Sequence, residues 1–399
     1  MKKGPLELHI VCRWSFPDSS GGVAMHNHNL VKVIRKNNQC SVVSLESKSN
    51  KSYFEKIGID YIGIIPNDNY NKNHLLIPFF LKNIARHFSD NHISKKFRKK
   101  LDDKNGLIEF MDIHSEGYHF LKQNVKKRSN VIIRSHTPFS ILKNFFSKNE
   151  LKGVNNPFAF KREKKCFEMA GQITTPSQDL KNQIVNLFEL NPDKIDVLPN
   201  IIDTSHFRPI EKKRNRNFTI LHVGRFERSK GVETLIKSFI EISKEFRDIN
   251  LINIGEKRGS SINVCHNLLI DNNLSDRVTF KGFVEYNELP DFYSLSDIVV
   301  VPSEIYESFS YTVAQGMACG KTVIASNIGG IPETVNYGKA GVLFEPGNFR
   351  DLTDKIKSVL SNKEKRKYIS KKAREHVMIN YSMEVLGPKY ERYYKSLMS

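Results

Sequence analysis

Residues 301–335 read VPSEIYESFSYTVAQGMACGKTVIASNIGGIPETV, and this stretch alternates strand, helix and strand. The first strand ends at Pro302, a helix-length segment follows Glu307, and a β-branched strand at 322–325 leads into a glycine turn at 329–330. A strand that returns through a helix lies parallel to its neighbour, and the helices then cover the sheet. The stretch therefore predicts an α/β fold built on a parallel sheet.

The same alternation extends along the rest of the chain. Helix-length segments such as 23–36, 158–169, 231–246, 289–295 and 350–360 separate short apolar runs suited to strands. Those runs occupy 6–12, 40–45, 61–65, 107–110, 131–134, 173–175 and 195–198, and then 218–223, 250–254, 277–281, 297–301, 322–325 and 341–344. Because the even spacing breaks near residue 205, the pattern favours two doubly wound sheets over one eight-stranded barrel.

The break coincides with a polar, charged segment at 209–217, PIEKKRNRN, which is typical of a linker. We therefore predict an N-terminal domain at 1–208 and a C-terminal domain at 209–380. The last segment, 381–399, carries tyrosines at positions 381, 390, 393 and 394 and predicts a terminal helix with one apolar face. A chain of 399 residues is long enough for two such cores.

The composition excludes several classes of protein. With 39% hydrophobic and 26% charged residues the chain has the balance of a folded globular protein, so global disorder is not expected. No long apolar run predicts a transmembrane helix, and the run at 6–12 lacks the cleavage site of a signal peptide, so we expect a cytoplasmic protein. Five cysteines without CxxC spacing exclude a disulfide scaffold and a zinc ribbon, and they predict reduced, buried thiols.

The formal net charge of +19 is concentrated in the first half, where residues 1–210 carry 33 basic and 20 acidic side chains. This excess predicts an anionic partner, either a phosphorylated ligand, nucleic acid or a membrane surface; a solubilising lysine-rich surface is the alternative. Residues 75–101 repeat apolar positions four apart among lysines and arginines, which predicts an amphipathic basic helix. Such a helix either packs on the core with a solvated basic face or rests on an anionic membrane. We expect no nucleic-acid partner, because no helix-turn-helix, zinc-knuckle or RNP-like pattern is present.

A second motif, VGRFERSKG at 223–231, follows a strand and opens a helix. Gly224 allows a tight turn, and Arg225 and Lys230 place two cations beside a helix N-terminus, which is an arrangement suited to a diphosphate. Arg225, Glu307 and Gly329 each follow the end of a strand, and open α/β sheets bind ligands outside the carboxyl ends of their strands. We therefore expect these residues to share one site.

Taken together, the motifs resemble the retaining glycosyltransferases of family 4, also called glycosyl transferases group 1, which have the GT-B fold. The motifs are a Gly-Gly loop at 21–22, PNIID at 199–203, the turn at 224–231 and the E-x7-E region at 307–315. The resemblance covers nearly the whole chain. It implies two Rossmann-like domains facing across a cleft, with the nucleotide-sugar donor mainly on the second and the acceptor on the first. It also implies that the terminal helix returns to the first domain.

The resemblance assigns donor-site roles to single residues. Arg225 and Lys230 match the pair that binds the diphosphate, and Glu307 matches the acid that holds hydroxyl groups of the donor sugar. The segment whose backbone amides usually meet the sugar and the phosphates corresponds to Phe309, Ser310 and Tyr311.

Position 315 departs from the family pattern, because Gln315 stands where a second glutamate usually grips the ribose diol. A glutamine carbonyl accepts a hydrogen bond from one hydroxyl but more weakly than a carboxylate, so ribose binding is expected to be weakened. Phe283 and Val284 match the segment that frames the nucleobase, mostly through backbone contacts.

The first domain supplies further candidates by the same resemblance. Gly21 and Gly22 match the loop that lets the backbone approach the donor phosphates. His136, at a strand end in RSHTP, matches the histidine beside the transferred sugar. Glu116 is a weaker candidate for the acceptor site.

The expected activity is transfer of a hexose or N-acetylhexosamine, from a UDP-sugar in preference, to a glycan, lipid-linked or protein acceptor in bacterial surface glycan synthesis. The sequence lacks the Asp-x-Asp pair that holds a divalent metal in many GT-A enzymes, so we expect no metal ligands and no cofactor, with Arg225 and Lys230 neutralising the leaving group. The resemblance implies retention by front-face attack. Two alternatives stay open: a catalytically weakened protein that binds nucleotide sugar, and a basic nucleic-acid-binding protein.

Overall fold

The computed structural model describes residues 6–17, 19, 21–65, 79–145, 157–211, 217–256 and 261–398. Its strands agree with the predicted apolar runs to within one or two residues at each end. They are Glu7–Val11 (β1), Gln39–Leu45 (β2), Asp60–Ile64 (β3), Leu107–Met111 (β4), Val131–Arg134 (β5), Gln172–Thr175 (β6), Ile195–Val197 (β7), Phe218–Val223 (β8), Ile249–Ile254 (β9), Val278–Gly282 (β10), Ile298–Val301 (β11), Thr322–Ser326 (β12) and Val342–Phe344 (β13).

The helices fill the intervals between the strands, as the alternation predicts. They are Gly22–Ile34 (α1), Lys48–Lys56 (α2), Phe79–Leu101 (α3), Tyr118–Gln123 (α4), Phe139–Leu142 (α5), Pro157–Met169 (α6), Gln178–Phe188 (α7), Val232–Ser243 (α8), Ser261–Asp271 (α9), Leu289–Leu295 (α10), Tyr311–Ala318 (α11), Ile331–Thr334 (α12), Phe349–Leu360 (α13), Lys363–Asn380 (α14) and Met383–Leu397 (α15).

The chain divides into two compact units, and unit 1 comprises Met1–Ile201 and Leu386–Ser399. Its sheet has the order β3-β2-β1-β4-β5-β6-β7 in the described residues, with every pairing parallel. Strands β4 and β5 are buried at every position, as expected for a parallel sheet covered on both faces. The order reverses between β1 and β4, so this sheet is doubly wound and has its topological switch point there.

Unit 2 comprises Ile202–Val385, and its described strands form the parallel order β10-β9-β8-β11-β12-β13. Its order reverses between β8 and β11. Helix α8 buries Leu235, Phe239 and Ile242 against this sheet, because their spacing places them on one face of the helix. The predicted α/β class with two doubly wound sheets is confirmed.

The boundaries between the units lie at 201/202 and 385/386, whereas the sequence places them at 208/209 and 380/381. Residues 202–208 belong to unit 2 because Ile202 donates its backbone N–H to the carbonyl oxygen of Tyr381 at 2.8 Å and Phe207 is buried against Tyr286. Charge alone marked the linker at 209–217, and residues 212–216 of it lie outside the described residues. The end of α15 packs in unit 1, where the Tyr390 hydroxyl donates to the carbonyl oxygen of Pro199 at 3.0 Å.

The basic segment predicted at 75–101 forms helix α3 from Phe79 onward, while residues 75–78 and the side chains of 79–88 lie outside the described part. In the described half, Ile93, Phe97 and Leu101 are buried in unit 1. The lysines at 95, 99 and 100 are exposed. This half therefore packs one face on the core of unit 1 and leaves these basic side chains exposed. Among the described helices, none combines the length and the apolar character needed to cross a membrane.

Candidate functional site

The turn after β8 is shaped by glycines that allow two backbones to approach closely. Gly231 caps α8 with a φ of 67°, and a Cβ at this position would lie 1.7 Å from the carbonyl oxygen of Pro302. Gly255, after β9, has a φ of 143°, and a Cβ there would lie 2.0 Å from the carbonyl oxygen of Gly224. Only glycine fits either contact, because other residues rarely adopt these φ values and would clash. The turn is thus held against the loops after β9 and β11.

The two cations of this turn have different surroundings. The Arg225 side chain is 47% exposed, and its Nη2 lies 3.0 Å from Oε1 of Glu227. The Lys230 Nζ donates to Oε1 of Glu307 at 2.5 Å, with both side chains partly exposed. The sequence assigned Lys230 and Glu307 to different parts of one ligand, and the structure brings them into direct contact.

Glu307 is fixed from two further directions. Its Oε1 accepts a hydrogen bond from the Ser303 hydroxyl at 3.0 Å, and its carbonyl oxygen accepts the Gly330 N–H at 2.8 Å. Gly329 has a φ of 56°, and a Cβ there would lie 2.4 Å from the Glu307 carbonyl oxygen. The ends of β8, β11 and β12 are adjacent in the sheet, so Lys230, Glu307 and Gly329 lie together at the switch point of unit 2. Arg225, which the sequence expected to share a site with Glu307 and Gly329, follows the same strand as Lys230 but pairs with Glu227.

The side chains at the start of α11 have structural partners. Ser310 caps the helix, because its hydroxyl accepts the Val313 N–H at 3.4 Å. Phe309 is buried, with its ring 5.5 Å from that of Tyr311 and 5.4 Å from that of Tyr381. What this segment can offer a ligand is therefore backbone N–H groups at the start of the helix, rather than these side chains.

Gln315 lies on α11 and is 6% exposed. Its Oε1 accepts a hydrogen bond from the hydroxyl of Tyr293 at 3.2 Å. Tyr293 is fully buried, and burial raises the pKa of its phenol well above the usual value, so it stays a donor. Sequence reasoning missed Tyr293. Its hydroxyl bonds to the side-chain carbonyl of Gln315, which the sequence analysis expected to bind the ribose.

Phe283 and Val284 follow β10, at the same carboxyl edge of the unit 2 sheet but at its outer strand. Phe283 is 57% exposed and Val284 is half-buried. Within the described residues, no hydrogen bond or ion pair joins either of them to Arg225 or Glu307. The structure thus places this segment on the correct edge of the sheet without joining it to the cations.

In unit 1, Gly21 precedes α1 and Gly22 is its first residue. Gly21 has a φ of −67°, and among the described residues a Cβ there would meet the Ser19 hydroxyl oxygen at 3.6 Å, an ordinary contact. The fold therefore leaves room for a side chain at Gly21, unlike at Gly231.

His136 follows β5 and is 6% exposed. Its backbone N–H donates to Oδ2 of Asp112 at 3.1 Å, and its ring packs edge-on against His26 at 5.0 Å. Burial, with His26 and Arg134 adding to it, lowers the pKa of His136 well below the usual 6.5. The imidazole is therefore neutral at pH 7 and can exchange hydrogen bonds but carries no charge toward a phosphate.

A buried polar network that sequence reasoning missed surrounds His26. The His26 Nε2 lies 3.7 Å from Oε1 of Glu109, whose Oε2 accepts the hydroxyl of Tyr394 at 2.7 Å. Arg134 donates from Nη2 to Oδ1 of Asn200 at 2.7 Å. Charged residues inside otherwise apolar strands, such as Glu109 in LIEFM and Arg134 in VIIR, were the available signal.

Glu116 lies in a second buried network of unit 1. It is 1% exposed, and its Oε1 accepts from Nε of Arg13 at 3.1 Å. Burial raises the pKa of Glu116 to about 7, although the Arg13 charge opposes that rise. In the described part of the chain, no cluster of three or more histidine, cysteine or acidic side chains is arranged to hold a metal ion.

Comparison with known proteins gives two matching family models that meet near the boundary between the units. The model described as Glycosyltransferase Family 4 matches residues 20–206, and the one described as Glycosyl transferases group 1 matches residues 203–376.

Among curated relatives, an uncharacterised glycosyltransferase of Methanocaldococcus jannaschii is 28% identical over 57% of this chain and 60% of its own length. The N-acetyl-alpha-D-glucosaminyl L-malate synthase of Bacillus anthracis is 26% identical over 71% of this chain and 72% of its own.

Among solved structures, sucrose-phosphate synthase of Thermosynechococcus elongatus has a TM-score of 0.80 at 19% identity, covering 98% of this chain and 99% of its own. Anabaena HepE, solved in complex with UDP, has a TM-score of 0.73 at 17% identity, and the match covers 98% of this chain and 100% of HepE. At these identities the structural likeness establishes the fold.

Proposed function

The chain belongs to glycosyltransferase family 4, and on that premise we propose that it transfers a sugar from a nucleotide-sugar donor to a hydroxyl group of an acceptor. The observation that carries the proposal is the contact of Lys230 with Glu307 at the switch point of unit 2, with Arg225 on the same turn as Lys230. A nucleotide sugar joins a diphosphate to a polyol, and it needs cations and a hydrogen-bond-accepting carboxylate at adjacent positions. These three side chains supply that combination.

In the proposed complex, Lys230 and Arg225 face the diphosphate and Glu307 accepts hydrogen bonds from sugar hydroxyl groups. The amides at the start of α11 add donors toward the phosphates. Lys230 then contacts both the diphosphate and Glu307, so the sugar is positioned relative to its leaving group by one ion pair. Such positioning holds the reacting bond in a fixed place before the reaction.

The proposed reaction retains the configuration of the sugar. The bond between its anomeric carbon and the phosphate oxygen breaks, and the acceptor oxygen bonds to that carbon on the same face. The acceptor proton passes to the departing phosphate oxygen, so no side-chain base is required. Arg225 and Lys230 stabilise the charge that develops on the nucleoside diphosphate, and the proposal involves no metal ion.

For the donor we favour a UDP-sugar carrying a hexose or N-acetylhexosamine. Anabaena HepE is described in complex with UDP-glucose, and the Bacillus anthracis relative is named for an N-acetylglucosaminyl product. The acceptor we propose is a glycan or a lipid-linked or protein-linked glycan of a bacterial surface.

A donor screen tests the proposal. The full chain is incubated with UDP-glucose, UDP-galactose, UDP-N-acetylglucosamine and GDP-mannose, with and without methyl glycosides as acceptors, and released nucleoside diphosphate is measured. We expect release with at least one UDP-sugar. Binding of a donor without release would support the catalytically weakened protein, for which the Tyr293 bond to Gln315 is the structural argument. If no donor binds and none releases nucleoside diphosphate, the proposal is refuted.

The pair Glu307 and Gln315 gives a sharper test. Glu307→Gln keeps the side-chain shape and removes the charge, so we expect kcat/KM for the intact donor to fall by the equivalent of about 1.5–3 kcal/mol. Affinity for UDP should be unchanged or tighter, because UDP lacks the transferred sugar and Lys230 loses its carboxylate partner. Glu304→Gln, on the same loop, is the matched control. Equal weakening of both ligands would rule out the sugar role of Glu307.

Position 315 should behave in the opposite way. Gln315→Ala should weaken UDP itself, whereas Gln315→Glu keeps an acceptor for Tyr293 and adds a charge that should tighten UDP. Calorimetric titration of UDP into both variants and the wild type measures this. Unchanged UDP affinity in Gln315→Ala would show that this residue does not contact the ribose.

We also propose that the basic face of α3 rests on an anionic membrane surface. Its described lysines at 95, 99 and 100 are exposed, and they give the charge that such a contact needs. Flotation with phosphatidylglycerol vesicles should recover the protein at low salt and lose it as salt rises. Replacing these lysines with serine should abolish flotation, unlike replacement of exposed lysines on α14: Lys363, Lys367 and Lys371. Salt-insensitive binding to neutral vesicles would contradict the electrostatic contact.

A further inference from the structure

Trp14 is the single tryptophan of the chain, and none of the roles considered above involves it. It lies just beyond the end of β1, and its side chain is 53% exposed. Exposure alone says little, since single apolar side chains are common on protein surfaces. The way in which this ring is held distinguishes it.

Two neighbouring side chains fix the indole ring. The guanidinium carbon of Arg13 lies 5.7 Å from the ring centroid, within the range of a cation–π contact. The His114 ring meets the indole edge-on at 5.4 Å, and His114 itself has a left-handed backbone with a φ of 68°. A ring contacted on two sides presents its remaining surface in a fixed orientation.

Both neighbours are anchored in a buried charge network. Arg13 donates from Nη1 to Oδ1 of Asp90 at 2.8 Å and from Nε to Oε1 of Glu116 at 3.1 Å. Arg162 donates to the carbonyl oxygen of His114 at 2.8 Å and lies 3.4 Å from Oδ2 of Asp90. All of these side chains are less than 10% exposed. Burying four ionisable side chains costs desolvation free energy, which their mutual pairing offsets only in part. Here the same pairing also holds the surface ring in place.

The network also has unused hydrogen-bonding capacity. Within the described residues, Nη2 of Arg13, Nε of Arg162 and Oε2 of Glu116 are buried and make no hydrogen bond. Most buried polar atoms in folded proteins are paired, so unused donors and an acceptor in the network that supports the ring point to a polar ligand there.

The position in the sheet leads to the same conclusion. Trp14 follows β1, and His114 and Glu116 follow β4, and the strand order of unit 1 reverses between these two strands. Ligands of doubly wound sheets bind at this switch point, outside the carboxyl ends of the strands. His136 follows β5, the next strand in the sheet.

Resting on the proposed transferase function, we propose that the exposed indole face of Trp14 carries a pyranose ring of the acceptor. A pyranose offers C–H groups on one face, which pack on an aromatic surface, and hydroxyl groups at its rim, which need donors and acceptors. The two guanidinium groups of the network, on Arg13 and Arg162, face two carboxylates, on Asp90 and Glu116. Each guanidinium is therefore already paired with a carboxyl group, which favours a neutral sugar over an anionic ligand.

Fluorescence tests this directly, because emission excited where tyrosine does not absorb reports on Trp14 alone. The full chain is titrated with methyl glucoside, methyl galactoside, methyl mannoside and methyl N-acetylglucosaminide, with glycerol as the control polyol. We expect a saturable change with at least one glycoside and none with glycerol. No change with any glycoside, or the same change with glycerol, would overturn the proposal.

Kinetics give a second test on whichever acceptor the wild type uses. Trp14→Ala should raise the acceptor KM at least tenfold while leaving donor hydrolysis by water unchanged, and Trp14→Phe should recover part of the loss. Tyr368→Ala, which removes a ring that is 62% exposed on α14, is the matched control and should change neither. An unchanged acceptor KM in Trp14→Ala would refute the proposal that Trp14 carries a sugar ring of the acceptor. If the wild type itself turned over no donor, the transferase function would be refuted instead. The fluorescence titration would then still show whether Trp14 binds a sugar.

Discussion

Lys230→Ala and Arg225→Ala are each expected to lower kcat/KM for the donor by about two orders of magnitude or more, the equivalent of roughly 2.7–4 kcal/mol of leaving-group stabilisation. Lys230 is held at 2.5 Å from Glu307, so its removal takes away a cation and also leaves the carboxylate without its partner. Arg225 is more exposed, and its ion pair within the described residues is with Glu227 and not with Glu307, so we expect Lys230→Ala to show the larger loss. Release of nucleoside diphosphate under steady-state conditions measures both.

Two exposed cations nearby serve as controls. Arg228 lies in the same turn and Lys237 lies on α8, and replacing either with alanine should leave turnover within twofold of the wild type. Activity should also survive chelation by EDTA. If turnover collapsed on chelation and returned with Mg²⁺, neutralisation of the leaving group by side chains alone would be wrong.

Gly231→Ala is expected to destabilise unit 2 by about 3 kcal/mol or more, because it combines an unfavourable backbone with a steric clash. The φ of 67° accounts for about 1–2 kcal/mol of this. The remainder arises because the new Cβ would lie 1.7 Å from the carbonyl oxygen of Pro302, so that the loops after β8 and β11 must separate. Urea unfolding followed by circular dichroism measures the loss.

Gly338→Ala separates the two contributions. Gly338 has a φ of 88°, and a Cβ there meets no atom within 4 Å, so only the backbone cost should appear. Similar losses in the two variants would mean that the contact between the loops relaxes freely. In that case it would not fix the position of Lys230 relative to Glu307.

Much of the fold followed from local sequence patterns. Runs such as VIIR at 131–134 and IVVV at 298–301 are apolar on both faces, and only strands inside a covered parallel sheet bury both faces. Helix α8 has its apolar residues on one side, so its period and position could be predicted. The unit boundary was placed too late because 202–208 carries no compositional mark. Its assignment to unit 2 depends on the backbone bond from Ile202 to Tyr381, which are far apart in sequence.

The individual residues of the candidate site could be predicted from the sequence, but the contacts between them could not. Sequence located Arg225, Lys230 and Glu307 at strand ends, because glycine turns and caps are local features. It could not show that Lys230 contacts Glu307 or that the Tyr293 hydroxyl donates to the side-chain carbonyl of Gln315, since each bond joins side chains on separate elements. The charge networks around Glu109 and Asp90 were hidden for the same reason.

The sequence by itself determined the α/β class, the strand and helix positions and the family, because hydrophobic period, turn residues and short motifs are written within a few neighbouring residues. Tertiary structure alone decided which strand ends are adjacent, and therefore which side chains share a site. The reversal of strand order places Glu307 beside Lys230 in one unit and His114 beside Trp14 in the other. Contacts between residues distant in sequence depend on how the whole sheet is ordered and packed, and no local pattern encodes that order.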